Sequence, residues 1–153
     1  MTDTMNTPGP NKRIFAFLVD QLVILVLVAV CPSHNFLAFL FVTLYWLLRD
    51  IRGKSPGKLL SGLKVVDRNG QEADIPKKIL RNLTITLPFF FIVEYFFMRT
   101  SAEGLRLGDR MVGTRVIDLN PSWKDRNFLL LTIPILVLEY VIVKMFVMPL
   151  YIK

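Results

Sequence analysis

Leu48–Asp67, LRDIRGKSPGKLLSGLKVVD, leaves an apolar segment as a basic loop and ends in a strand-like run. It recurs in degenerate form as Leu107–Asp118, LGDRMVGTRVID. Overlaid, Gly57-Lys58-Leu59-Leu60-Ser61-Gly62-Leu63-Lys64-Val65-Val66-Asp67 corresponds to Gly108-Asp109-Arg110-Met111-Val112-Gly113-Thr114-Arg115-Val116-Ile117-Asp118. Both copies read Gly, a short amphipathic turn, Gly, then a basic residue, two β-branched residues and Asp. Self-similarity of this kind outranks local propensity as a guide to architecture. Two copies on either side of an apolar segment predict a paired polar platform at one membrane face.

The rest of the composition agrees with a membrane setting. Of 153 residues 53% are apolar, the formal net charge is +7, and the mean hydropathy is +0.48. A nucleic-acid binder would pair such charge with a recognisable motif, and none is present, so no nucleic-acid partner is expected. Cytoplasmic loops and anionic headgroups account for the same excess of Lys and Arg. Cys31 is the only cysteine and His34 the only histidine. That excludes an intrachain disulfide, Cys- or His-cluster metal sites and most Ser-His or Cys-His nucleophile pairs.

In chain order, residues 1–11 are polar and read as a mobile tail. Lys12 and Arg13 introduce the apolar run Ile14–Cys31, a short turn follows, and Phe36–Leu48 returns, ending in Tyr45 and Trp46 at interfacial depth. Val30 is too bulky for a lipoprotein cleavage site before Cys31, and Asp20 interrupts the run, so processing is not expected. Basic residues at both ends of this helical hairpin place them in the cytoplasm. The second limb is short against the ~20 residues a span needs. Pro56 suits a first helical turn. Leu63–Asp67, a turn with Asn69-Gly70, and Glu72–Ile75 read as a β-hairpin. Pro76–Asn82 reads as a basic amphipathic helix at the headgroups. Leu83–Met98 is apolar but broken by Pro88; it either spans or re-enters, and only re-entry keeps both repeat copies on one side. Phe128–Ile152, beyond the linker from residue 119, is long enough to span.

These residues resemble the RDD family of small integral membrane proteins. The pieces are Arg13–Asp20 in the first span, Gly53-Lys54-Ser55-Pro56-Gly57-Lys58 through Lys64-Val65-Val66-Asp67, Arg81-Asn82, and Arg106-Leu107-Gly108-Asp109 through Gly113–Ile117. The resemblance covers residues 12–118 and leaves 119–153 as an additional C-terminal helix. It implies a multi-spanning membrane protein, and with the charge pattern the chain reads as an all-α protein of the bacterial inner membrane with its N-terminus cytoplasmic. The family's name refers to one Arg and two Asp, here Arg13, Asp20 and Asp109. The resemblance implies little chemistry, since most members have no assigned activity; ion/proton exchange has been proposed for some, and others look like accessory subunits.

Two functional classes therefore stand side by side. One is a non-catalytic accessory subunit needing a membrane-protein partner or a second copy. The other is a cation/proton transporter using the intramembrane carboxylates Asp20, Glu94 and Glu139, since an ionisable residue within a span is a functional-site hypothesis. For Asp20 the alternative role is structural, paired with a basic group from another segment. The platform residues Gly53, Lys54, Pro56, Gly57, Lys58, Gly62, Gly108 and Gly113 are expected to shape turns and close contacts. The Walker phosphate-loop spacing is absent from Gly57-Lys58, and no cofactor is called for.

Overall fold

The computed structural model describes residues 6–30, 35–83, 93, 96–97, 99–101 and 104–151. The first helix, α1 (Pro10–Val30), opens on proline, whose missing N–H costs nothing in a first turn. It carries no acidic residue of its own there. Asp125 supplies the cap instead, accepting the backbone N–H of Asn11 and Lys12 at 3.3 and 2.9 Å. Asn6 accepts the N–H of Asp118 at 2.9 Å. Asn6 and Asn11, within the expected mobile tail, are thus bonded to the second repeat copy and α6, while residues 1–5 lie outside the described residues.

Helix α2 (Asn35–Leu48) folds back along α1 as an antiparallel hairpin, with Phe17 against Trp46 at 5.8 Å between centroids. The turn between them, with Cys31 and His34, lies outside the described residues. After a tight loop come α3 (Pro56–Leu60), β1 (Leu63–Asp67), α4 (Ile75–Leu83), α5 (Leu107–Val112), β2 (Thr114–Asp118) and α6 (Asp125–Ile142). Helix α6 continues through a π turn at Val143–Val147 into Met148–Tyr151. Pro149 explains the π turn: its ring would clash with the carbonyl four residues earlier, at Met145, in a regular helix. Because Asp125 caps α1 and Phe15 meets Phe128 edge-on at 5.3 Å, α1 and α6 start together and run parallel. Val19 and Ile135 extend that contact. Asp125–Phe146, 22 residues with mean hydropathy 2.2, is long and apolar enough to cross a bilayer.

The expected β-hairpin is not what forms. Of it there remains the turn, in which Asp67 Oδ1 accepts the N–H of Asn69 and Gln71, and one bridge, Val66 to Glu72. Beyond that the chain turns into α4. β1 instead pairs antiparallel with β2, Leu63 opposite Asp118 through Asp67 opposite Thr114. The reason is burial. Leu63, Val65, Val66 and Val116 are all buried in this arrangement, whereas the hairpin's return limb would offer polar Glu72 and Asp74.

The two repeat copies therefore pair with each other. Each is a short helix, a glycine in the left-handed region (Gly62 φ 68°, Gly113 φ 70°) and a strand. A side chain there would be strained, which is why both copies keep glycine. Val65 and Val116 occupy equivalent places in the repeat and are directly paired, while Lys64 faces Ile117 and Val66 faces Arg115. That exchange of equivalents is what a local two-fold axis through the Val65–Val116 pair requires.

Antiparallel pairs alternate between wide and close spacing, so one of two successive pairs suits a disulfide. In a Cys31→Ser background, either Lys64→Cys/Ile117→Cys or Val65→Cys/Val116→Cys should cross-link on mild oxidation, read as a mobility shift in non-reducing gels. Neither pair would do so if β1 closed on Glu72–Ile75.

Candidate functional site

The sequence pattern of α4 decides what lies beneath the repeats. On a 100° helical wheel Lys78, Arg81 and Asn82 share one arc, and Ile75, Ile79, Leu80 and Leu83 another. In a soluble protein the apolar arc would face in. Here Lys78, Arg81 and Asn82 are buried, while Ile75, Leu80 and Leu83 are exposed. The expected amphipathic helix is present, but with its polar side turned into the protein. The same inversion holds in α3, where Lys58 is buried and Leu59 and Leu60 are exposed, and in α5, where Asp109 is buried and Met111 is exposed.

These polar arcs meet in a network of three carboxylates. Asp20, from the middle of α1, accepts from Ser55 Oγ at 2.7 Å, Gly57 N–H at 2.8 Å, Arg49 Nη1 at 3.0 Å and Tyr45 Oη at 3.3 Å. Gly57 can come so close because it lacks a Cβ, which would sit 1.9 Å from the Ala16 carbonyl oxygen of α1. Ser55 also caps α3, accepting the N–H of Lys58 at 3.3 Å. Asp50, just beyond α2, pairs with Lys58 and, at 3.5 Å, with Arg81 Nη1. Arg81 Nη2 reaches on to Asp109 at 2.8 Å, and Thr114 Oγ donates to the same carboxylate at 3.0 Å. Arg81 thus joins the first repeat copy to the second. At the rim, Lys78 binds Glu72 and the Ile51 carbonyl, and Lys12 binds Asp118 and the Asn120 carbonyl.

Burial and charge oppose each other in this network. Burial pushes the Asp50 carboxyl up, but Lys58, Arg81 and Arg49 outweigh it and hold the group well below the usual carboxylate range. Burial pulls Lys58 down to about 7 despite the attraction of Asp50, with Arg49, Arg81 and Arg106 adding repulsion. Arg49 is pulled to about 10, chiefly by burial; its guanidinium also lies 4.0 Å from the centroid of Trp46.

The anticipated site residues divide accordingly. Arg13 and Asp20 are both buried on α1 but do not meet: Arg13 Nη1 donates to the Gly104 carbonyl, and Asp20 binds Arg49. Asp109 enters the network through Arg81. Gly53, Gly57, Gly62 and Gly113 sit at turns or close contacts, Gly108 is buried in the first turn of α5, Pro56 opens α3, and Lys54 is half-buried. Lys58 is not a surface cation of a basic platform, since it is buried in an ion pair. Glu94 lies outside the described residues. Glu139 is half-buried on α6 and makes no bond to Asp20, so the relay is not assembled among the described residues. Sequence reasoning missed Asp50 and the bridging role of Arg81. The spacing of Lys78, Arg81 and Asn82 on one arc was the available signal.

Among the described residues no cluster of His, Cys, Asp and Glu is suited to a metal ion. A shallow cleft of about 620 Å³, lined by Ile51, Glu72–Pro76 and Lys78, opens beside the network rather than into it.

Removing one partner of a buried ion pair strands the other charge, at a cost of about 3–5 kcal/mol. Asp20→Asn should therefore lower the unfolding temperature in mild detergent markedly. Asp20→Asn combined with Arg49→Met should recover part of the loss; a double variant no better than the single would refute the pairing.

A family model described as the RDD family matches residues 30–150. The match takes in α6, which the sequence reading had set apart, and begins after Arg13 and Asp20. No curated protein and no solved structure matches the chain.

Proposed function

We propose that this chain, which belongs to the RDD family, is a non-catalytic accessory subunit of a membrane complex. Family and apolar helix together make it a membrane protein. The observation that carries the functional reading is the saturation of Asp20. Its two carboxylate oxygens are taken by four donors from α2, the following loop and α3. A proton carrier must exchange partners during its cycle; Asp20 instead ties segments together.

The topology in this reading has α1 and α2 as a hairpin with both outer ends in the cytoplasm of a bacterial cell. The pairing of β1 with β2 supports placing both repeat copies on that side. A single crossing between them would separate the strands; Leu83–Met98, whose expected re-entry would avoid that, lies nearly all outside the described residues. Helix α6 then crosses in the same direction as α1. Its outer face, with Leu130, Ile133, Val137 and Tyr140 at helical spacing and strongly exposed, is the proposed docking surface for a membrane-protein partner or second copy. Phe128 is excluded from that surface because it is buried against Phe15 and lies 5.5 Å from the Lys12 ammonium.

A second reading, cation/proton exchange, draws on Glu139, whose Oε1 is buried without a hydrogen-bond partner. An unsatisfied carboxylate oxygen in a span is the kind of group such chemistry uses.

Single cysteines at exposed Asn69 and Asn120, in a Cys31→Ser background, should both resist a membrane-impermeant thiol reagent applied outside intact cells. Labelling of Asn120→Cys alone would mean a true span at Leu83–Met98.

Leu130→Ala, Ile133→Ala and Val137→Ala together should shift the natively extracted complex to a smaller mass on native gels while leaving insertion intact. An unchanged mass, with proton flux in proteoliposomes abolished by Glu139→Gln, would favour the transporter instead.

A further inference from the structure

The level of α3 in the molecule follows from two helices that start together. Asp125, the first residue of α6, caps α1 at Asn11 and Lys12. Lys12 is therefore level with the start of the apolar stretch Asp125–Phe146. At about 1.5 Å per residue, Ala16 and Asp20 stand about 6 and 12 Å along the span from that end. The loop before α3, and α3 itself, are fixed at these two levels. Ser55 Oγ and the Gly57 N–H bond Asp20 directly, at 2.7 and 2.8 Å, and a Cβ on Gly57 would lie 1.9 Å from the Ala16 carbonyl oxygen. They stand beside the span, not beyond its end.

The length of α2 gives the same level independently. Its 14 residues rise about 21 Å, which leaves about 10 Å of a ~30 Å hydrocarbon slab uncrossed. That missing depth is where the loop and α3 stand. Helix α4 reaches it too, since the Asn82 side-chain amide donates to the Leu47 carbonyl of α2 at 3.4 Å.

Backbone at such a depth must find its partners within the protein. The N–H groups of Arg49, Ile51 and Gly53 are bonded to the carbonyls of Tyr45, Leu48 and Asp50, and that of Ser61 to Gly57. Charged groups at this depth must face protein, and Lys58 and Arg81 are buried. Leu59, Leu60 and Leu80 do the opposite, each more than half exposed.

We propose that α3 and α4 are immersed in the platform-side leaflet of the bilayer, where Leu59, Leu60 and Leu80 meet its acyl chains. The network around Asp20 and Asp50 is then an intramembrane polar core, not a domain in water. This rests on the crossing of α6 in the topology proposed above, and not on the partner proposed for its outer face. The occupant is lipid because a side chain exposed at that height beside α1 and α6 has acyl chains as its surroundings.

The test uses the full chain in a Cys31→Ser background, reconstituted in vesicles of phosphatidylethanolamine and phosphatidylglycerol. Spin labels are placed singly at Leu59→Cys, Leu60→Cys and Leu80→Cys, exposed positions where a label displaces no packing. Collision with oxygen, which concentrates in acyl chains, is compared with collision with a water-soluble nickel chelate. Two references bracket the scale: Leu131→Cys, exposed on α6 about 9 Å from its start, and Asn69→Cys in the exposed turn after β1. The three leucine sites should favour oxygen over nickel as Leu131→Cys does, and Asn69→Cys should show the reverse. A nickel preference at the leucine sites like that of Asn69→Cys would place the platform in water and overturn the proposal. Shielding from both reagents would overturn it as well, since protein would then cover this face. A nickel preference at Leu131→Cys itself would remove the crossing of α6, and the proposal with it; the other two outcomes leave that crossing intact.

Discussion

The bond between Asp20 and its four donors is the constraint on which the remaining structure depends. A lone carboxylate in the middle of a helix bound for the membrane would be untenable, because burying a charge without compensation is prohibitive. Arg49 at the end of α2, Ser55 in the loop, the Gly57 amide and Tyr45 all converge to answer it. In doing so they fix the return of α2, the bend of the loop and the docking of α3 against α1. Asp50, one residue after Arg49, then repeats the requirement outward through Lys58 and Arg81 to Asp109. Each charge is tolerable only because the next element supplies its partner, so the elements assemble as a set.

In the topology proposed above, a bilayer against the platform would account for the inverted packing. In water, apolar side chains collect inside because burial removes them from solvent. In a bilayer that driving force is absent between protein and lipid chains, and the polar groups are what must be hidden. Helix α4 is the clearest case, with Lys78, Arg81 and Asn82 inward and Ile75, Leu80 and Leu83 outward. Buried apolar side chains among the described residues gather in small clusters, such as Phe15 with Val19 and Phe128, and Ala16 with Leu63 and Val116.

Much of this was legible in the sequence, for identifiable reasons. The hairpin of α1 and α2 announces itself by apolar length and flanking charge, α3 by Pro56, and the two copies by their matched glycines at Gly62 and Gly113. The pairing of β1 was misread because Asn69-Gly70 is a strong local turn signal and the turn does form. A longer-range partner won because Val116 could be buried where Glu72 could not. The importance of Asp50 was hidden because an Arg-Asp pair at a loop start looks solvated. Only the three-dimensional return of Lys58 and Arg81 shows it to be buried. Arg13 and Asp20, seven residues apart on α1, have separate partners.

The two-fold relation through Val65 and Val116 has a consequence of its own. A contact in which equivalent residues meet across an axis is self-complementary. Each copy is thus built to bind something shaped like itself, and the chain is in this respect a fused dimer. The copies differ at corresponding positions. Lys58 faces Asp50, whereas its counterpart Asp109 faces Arg81, so the same position carries opposite charges in the two halves. Opposite charges let the two halves share a single continuous network, which two identical halves with like charges at that position could not do. The symmetric strand pair is thus held together by an asymmetric set of charges.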